Sequence, residues 1–117
     1  MGKTQELGQE GERLATLFLQ NNGYQILAKN FQYQRAEIDL IALKNELLIF
    51  IEVRLRTSTN FGFPEQTISP KKIQAIRKAA EQYIIATNWH KDIRFDVIAI
   101  HYENQQPIIT HLQDVFE

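Results

Sequence analysis

The sequence predicts an α/β domain whose elements follow one another as α-β-β-β-α-β around a mixed sheet. Three observations predict it. Apolar residues recur at helical spacing in two separate segments, Gln5–Asn22 and Pro70–Thr87. Three strand-like runs lie between those segments, and a fourth follows the second helix. That helix therefore bridges two strands, and a crossover of this length is what a parallel pair requires.

The first helix carries Leu7, Leu14, Ala15, Phe18 and Leu19 on one face, and Gly23 is placed to end it in a left-handed cap. "YQILAKNF" (Tyr24–Phe31), "EIDLIALK" (Glu37–Lys44) and "LLIFIEVRL" (Leu47–Leu55) read as three strands, the last two joined by a tight turn near Lys44–Glu46. "RTSTNFGFPEQTI" reads as a loop. Ser69 can cap the second helix, with Pro70 as its first residue and Ile73, Ile76, Ala80, Tyr83 and Ile84 as its apolar stripe. "RFDVIAIHY" (Arg94–Tyr102) is the fourth strand, and "PIITHL" suits a short fifth. The second and third strands are apolar on both faces, which predicts central positions covered from both sides.

A length of 117 residues suits one domain, spanning residues 1–117, with a modest core. The chain has no cysteine, which excludes disulfides and thiolate metal sites. No apolar run reaches the roughly 18 residues that span a bilayer, and the N-terminus lacks an apolar signal core, so a cytoplasmic protein is expected. The net charge of −1 gives no general support to nucleic-acid binding, which must rest on local patches.

The most apolar stretch, "AEIDLIALKNELLIFIEVRLR", also carries Glu37, Asp39, Glu52 and Arg54. Buried charges are normally paired or bound to a metal. By strand alternation Glu37 and Asp39 share a face, as do Glu52 and Arg54. A two-residue turn at Asn45–Glu46 pairs Lys44 with Leu47, sets Asp39 opposite Glu52, and sets Glu37 opposite Arg54. A turn at Lys44–Asn45 would make the same contacts diagonal. Two converging carboxylates raise a pKa or demand a cation, and oxygen ligands of this kind suit Mg²⁺ or Mn²⁺. A buried ion-pair network, Glu37 with Arg54 and Asp39 with a backbone group or another base, accounts for the same residues equally well.

Taken together, "GQEGERLATLFLQNNGYQILAKNF", "AEIDLIA", "LLIFIEVRLRTSTNFG", "PKKI" and "RFDVIAI" resemble the YraN-like family. This bacterial family is placed in the PD-(D/E)xK, restriction-endonuclease-like nuclease superfamily. The resemblance implies an αβββαβ core with a mixed central sheet flanked by helices. It also implies a metal-dependent endonuclease hydrolysing DNA phosphodiester bonds, on branched or damaged structures among others. The family's D…E-x-K motif falls on Asp39, Glu52 and Arg54, and the glutamate of its helical "GE" motif falls on Glu12. Asp39, Glu52 and Glu12 are thereby implied as ligands of Mg²⁺ or Mn²⁺. Arg54 departs from the motif lysine: it can stabilise charge but cannot act as a base. Ala36 stands where the family usually has glycine.

Several other residues carry more than one reading. Glu12 is a ligand or simply a glutamate favoured near a helix start. Lys72 contacts phosphate, pairs with a site carboxylate, or is solvated, and Lys71 and Arg56 extend a basic strip suited to phosphates. Arg77 and Lys78 continue that strip or form a solvated face. Asp96 pairs with Arg94 or supports the site from behind, as Glu37 does from the hairpin. His90, His101 and His111 lack ligand spacing. Phe61-Gly62-Phe63-Pro64 shields the site or anchors its loop. Rival functions are a nucleic-acid-binding module without chemistry and a protein-interaction domain. A nuclease of this size cutting two strands is expected, by analogy, to work as a homodimer.

Overall fold

The computed structural model describes residues 2–56 and 68–116. Its elements are α1 (Gly2–Asn21), β1 (Gln25–Tyr33), β2 (Ala36–Lys44), β3 (Leu47–Arg56), α2 (Pro70–Thr87), β4 (Ile93–Glu103) and β5 (Gln106–Leu112). The helix ends follow the sequence signals. At the end of α1, Gly23 sits at φ 87°, and the N–H groups of Gly23 and Tyr24 donate to the carbonyls of Gln20 and Leu19. At the start of α2, Ser69 Oγ accepts from the Lys72 N–H at 3.1 Å. Asn88 closes α2 in the left-handed region, donating to the carbonyls of Ile84 and Ile85. Ser69→Ala is expected to cost about 1 kcal/mol, the typical value of one such cap, read as a shift in the urea midpoint at unchanged slope.

The five strands form one sheet in the order β1-β2-β3-β4-β5. All neighbours are antiparallel except β3 and β4, which run parallel because α2 carries the chain back across the sheet. This is the restriction-endonuclease-like arrangement with one strand added at the edge. β5 is a full seven-residue strand, joined to β4 by a tight turn with Asn104 and Gln105 both at positive φ.

Each sheet face buries its own apolar layer. Against α1 lie Leu40, Ala42, Ile49, Ile51, Ile98 and Ile100, packed on Ala15 and Leu19. Against α2 lie Ile41, Leu48, Phe50 and Val97, packed on Ile76, Ala79 and Ala80. β2 and β3 are thus covered on both faces, as their two-sided apolarity predicts. Gly11 lies against β3: a Cβ there would meet Val53 and Leu55 side chains at 3.4 Å. The residue after that close approach is Glu12. No described helix is long and apolar enough to cross a membrane.

One expectation is corrected. Alternation puts Glu37 and Asp39 on one face, but β2 turns over at Asp39. Ile38 joins the layer under α2, while Leu40 joins the layer under α1. The β2–β3 ladder starts at Lys44↔Leu47, as the Asn45–Glu46 turn predicts, and its last pair is Leu40↔Ile51. Where Val53 would next pair with Ile38, its N–H donates instead to Asp39 Oδ2 at 2.8 Å. On the other side, β1 is distorted at the same level: Asn30 has φ 53°, and the β1–β2 partners pass from Lys29↔Leu40 to Phe31↔Ile38. The side-chain bond replaces a main-chain one, the ladder opens, and the period of two is broken.

Candidate metal centre

The opening of β2 from β3 makes the site. A groove of about 690 Å³ lies there, lined by Glu37, Asp39, Glu52, Arg54, Arg56, Lys71 and Lys72 among others. Two groups of charges meet at it, and all their members except Glu12 line the groove itself. The first is acidic: Glu12 from α1, with Glu37 and Asp39 from β2, each bring a carboxylate oxygen within 4.8 Å of the other two. Asn30 Nδ2 donates to Glu12 at 3.2 Å, and Gln32 Nε2 donates to Glu37 at 3.1 Å.

The second group is centred on Glu52, which is 7% exposed. Lys72 Nζ, from the first turn of α2, lies 2.5 Å from Glu52 Oε2. Arg54 Nε lies 3.3 Å from the same oxygen, but it is buried and makes no hydrogen bond. The expected Glu37–Arg54 pair is therefore replaced: Glu37 bonds Gln32, and Arg54 faces its own strand neighbour Glu52. The cause is again the turnover of β2, which carries Glu37 to the α1 side while Arg54 stays on the α2 side with Glu52.

Asp39 stands between the two groups. Its carboxyl is pushed up to about 8, first by burial and then by the negative charge of Glu52. The Val53 N–H pulls the other way, and Glu12 adds to the rise. A carboxyl crowded this far holds either a proton or a cation near neutral pH. Three converging carboxylates suit a hard divalent ion such as Mg²⁺ or Mn²⁺, so the residues present fit the group.

The remaining residues named from sequence divide. Lys71, Lys72 and Arg56 do line the groove. Asp96 does not join it. Its side chain is buried on the α1 side, where Arg94 holds both oxygens at 2.8 Å, His111 Nε2 lies 2.8 Å from Oδ2, and the Asp114 N–H donates to Oδ1. Burial alone would raise its pKa, but His111, Arg94 and the Asp114 N–H together hold it below the usual range. Of the two roles offered for Asp96, the pairing with Arg94 is the one formed. Phe61-Gly62-Phe63-Pro64 lies outside the described residues. Sequence reading missed Asn30, Gln32 and Arg35: each is an ordinary polar residue in or beside a strand, and no spacing marks them.

The Uncharacterised protein family UPF0102 matches residues 11–100. A UPF0102 protein of Flavobacterium psychrophilum is 42% identical over 116 residues, covering 99% of this chain and 98% of that protein. One of Cytophaga hutchinsonii is 45% identical over 108 residues, covering 92% and 93%. One of Syntrophomonas wolfei is 40% identical over 112 residues, covering 95% and 97%. With likeness of this extent along the whole fold, including every element that builds the groove, the chain belongs to the UPF0102, or YraN-like, family.

Proposed function

We propose that this chain is a metal-dependent endonuclease that hydrolyses phosphodiester bonds in DNA. The observation that carries the reading is the meeting of Glu12, Glu37 and Asp39 beside a buried Glu52 flanked by two cations. A Mg²⁺ or Mn²⁺ ion held by Asp39 and Glu12 would polarise a phosphate and activate water. Glu37 is placed to join them, whereas Glu52 is engaged with Lys72. Lys72 brings to the groove the ammonium that the motif position lacks. The Arg54 Nε–H is buried without a hydrogen-bond acceptor among the described residues, so Arg54 acts on the groove through its charge. Both cations are then placed to offset charge that develops on phosphorus.

The walls support a polyanionic substrate. A second groove of about 520 Å³ shares Arg35, Ala36, Lys71 and Ala75 with the first and continues to Lys78. Arg35, Lys71 and Lys78 form no ion pair among the described residues, and no acid lines this second groove. Lys71 and Lys78 are two turns apart, ~10.5 Å along α2, so they can meet separate phosphates of one backbone.

A second reading is a DNA-binding module that has lost its chemistry. The observation favouring it is that Glu52 is engaged by Lys72 and Arg54, and that arginine cannot release a proton. Cleavage of labelled single-stranded, duplex and branched DNA with Mn²⁺ separates the two. The expected result is metal-dependent cleavage by the wild type, reduced by about 10²-fold in Lys72→Met, the usual cost of one charge-stabilising group. DNA binding without cleavage of any substrate would establish the second reading instead.

A further inference from the structure

β1 lies at the edge of the sheet and contributes no charged group to the site, yet it contacts two of the three clustered acids. Asn30 Nδ2 donates to Glu12 Oε1 and Gln32 Nε2 donates to Glu37 Oε1. The two amides stand two residues apart on the strand, at the level where β2 turns over. Asn30 holds φ 53° there, a backbone that asparagine tolerates better than most residues. The strand is distorted at the one position that places a carboxamide on the α1 glutamate.

We propose that Asn30 and Gln32 are positioning residues, which hold Glu12 and Glu37 in the orientation that a divalent cation needs. The inference rests on the metal reading above. A carboxamide suits the task for a simple reason. It donates a hydrogen bond to one carboxylate oxygen without adding charge, and the second oxygen remains available as a ligand. A lysine or arginine in its place would compete with the cation for the same negative charge. Without such a donor, a glutamate side chain samples several rotamers, and ordering it must be supplied by the ion itself. Groups that orient metal ligands in this way typically carry a 10–100-fold share of metal affinity.

The test is Mn²⁺ affinity of the metal-stripped protein by calorimetry, with melting curves in EDTA, for wild type, Asn30→Gly and Gln32→Met. Glycine accepts φ 53° and removes the whole side chain, amide included. Methionine keeps the length of glutamine and cannot donate. The expected result is a loss of roughly 10-fold or more in Mn²⁺ affinity for each variant, with the EDTA melting curves nearly unchanged. Unaltered Mn²⁺ affinity in both variants overturns the positioning role while leaving the metal reading in place. Lower melting temperatures in EDTA with unaltered affinity show a purely structural role and overturn it too. A wild type that binds no Mn²⁺ overturns both.

Discussion

Asp39→Asn is expected to abolish Mn²⁺ binding and, in EDTA at pH 8, to make the protein more stable than wild type. The folded protein holds the Asp39 proton up to about 8, against an ordinary value of 3.8. Below that ordinary value both folded and unfolded chains carry the proton, and this group adds no pH dependence. Between the two values only the folded chain carries it, so stability falls as pH rises. Above about 8 both have lost it, and the folded state has lost the whole contribution. The total is on the order of a few kcal/mol at the ceiling of ~1.4 kcal/mol per pH unit. Asparagine removes the charge but keeps an oxygen to accept from the Val53 N–H, so the strand opening is preserved. Urea titrations in EDTA from pH 4 to 9 should show a declining stability for wild type and a flatter profile for Asp39→Asn. Mn²⁺ should flatten the wild-type profile as well, because a divalent ion takes the place of the proton. A variant that is several kcal/mol less stable than wild type at pH 8 would identify Asp39 as the partner of a buried base instead.

Asp96→Ala should have the opposite sign and a comparable size. The fully buried carboxylate serves Arg94, His111 and the Asp114 N–H at once. Removing it leaves a guanidinium in a largely buried setting, with Tyr24 Oη its one remaining hydrogen-bond partner among the described residues. Breaking a buried pair in this way costs roughly 3–5 kcal/mol. For a domain near this size the melting temperature should drop by more than ~10 °C. Metal affinity measured well below the new midpoint should be unchanged, since Asp96 bonds none of the groove acids. Replacing Arg94 with methionine in the same chain should recover part of the loss, because no unpaired charge then remains. If Mn²⁺ binding falls in step with stability under folded conditions, Asp96 acts on the site after all.

The two variants also mark how far the sequence could be read. The hairpin register was legible, because Asn45–Glu46 is a turn signal and the ladder counts outward from it to Leu40↔Ile51. Both ends of α2 were legible from Ser69, Pro70 and the apolar stripe. The turnover of β2 was not. Counting by twos assumes a continuous ladder, and nothing in "EIDL" announces that a side chain will take a main-chain bond. That single event moved Glu37 from a partner of Arg54 to a neighbour of Glu12. The Lys72–Glu52 and His111–Asp96 contacts join residues 20 and 15 positions apart. Pairing of Lys72 with a site carboxylate was one of its readings. Which carboxylate, and the His111–Asp96 contact, depend on how distant elements pack, which local pattern does not encode. Asp96 was readable as an acid in a buried strand but not as the hub of three donors.

The bond from Val53 N–H to Asp39 gives position 39 two separate reasons to stay as it is. One is chemical and the other is mechanical, since any side chain without an acceptor would leave a buried donor unsatisfied. A chain of this fold with no hydrolytic role would still need an acceptor such as aspartate or asparagine there. Glu12 bears no such second duty: its only described bond is to an amide that could turn to water. On the proposed nuclease reading, a change at position 12 would therefore be the cleaner sign of lost chemistry, and an intact aspartate at 39 would say little by itself.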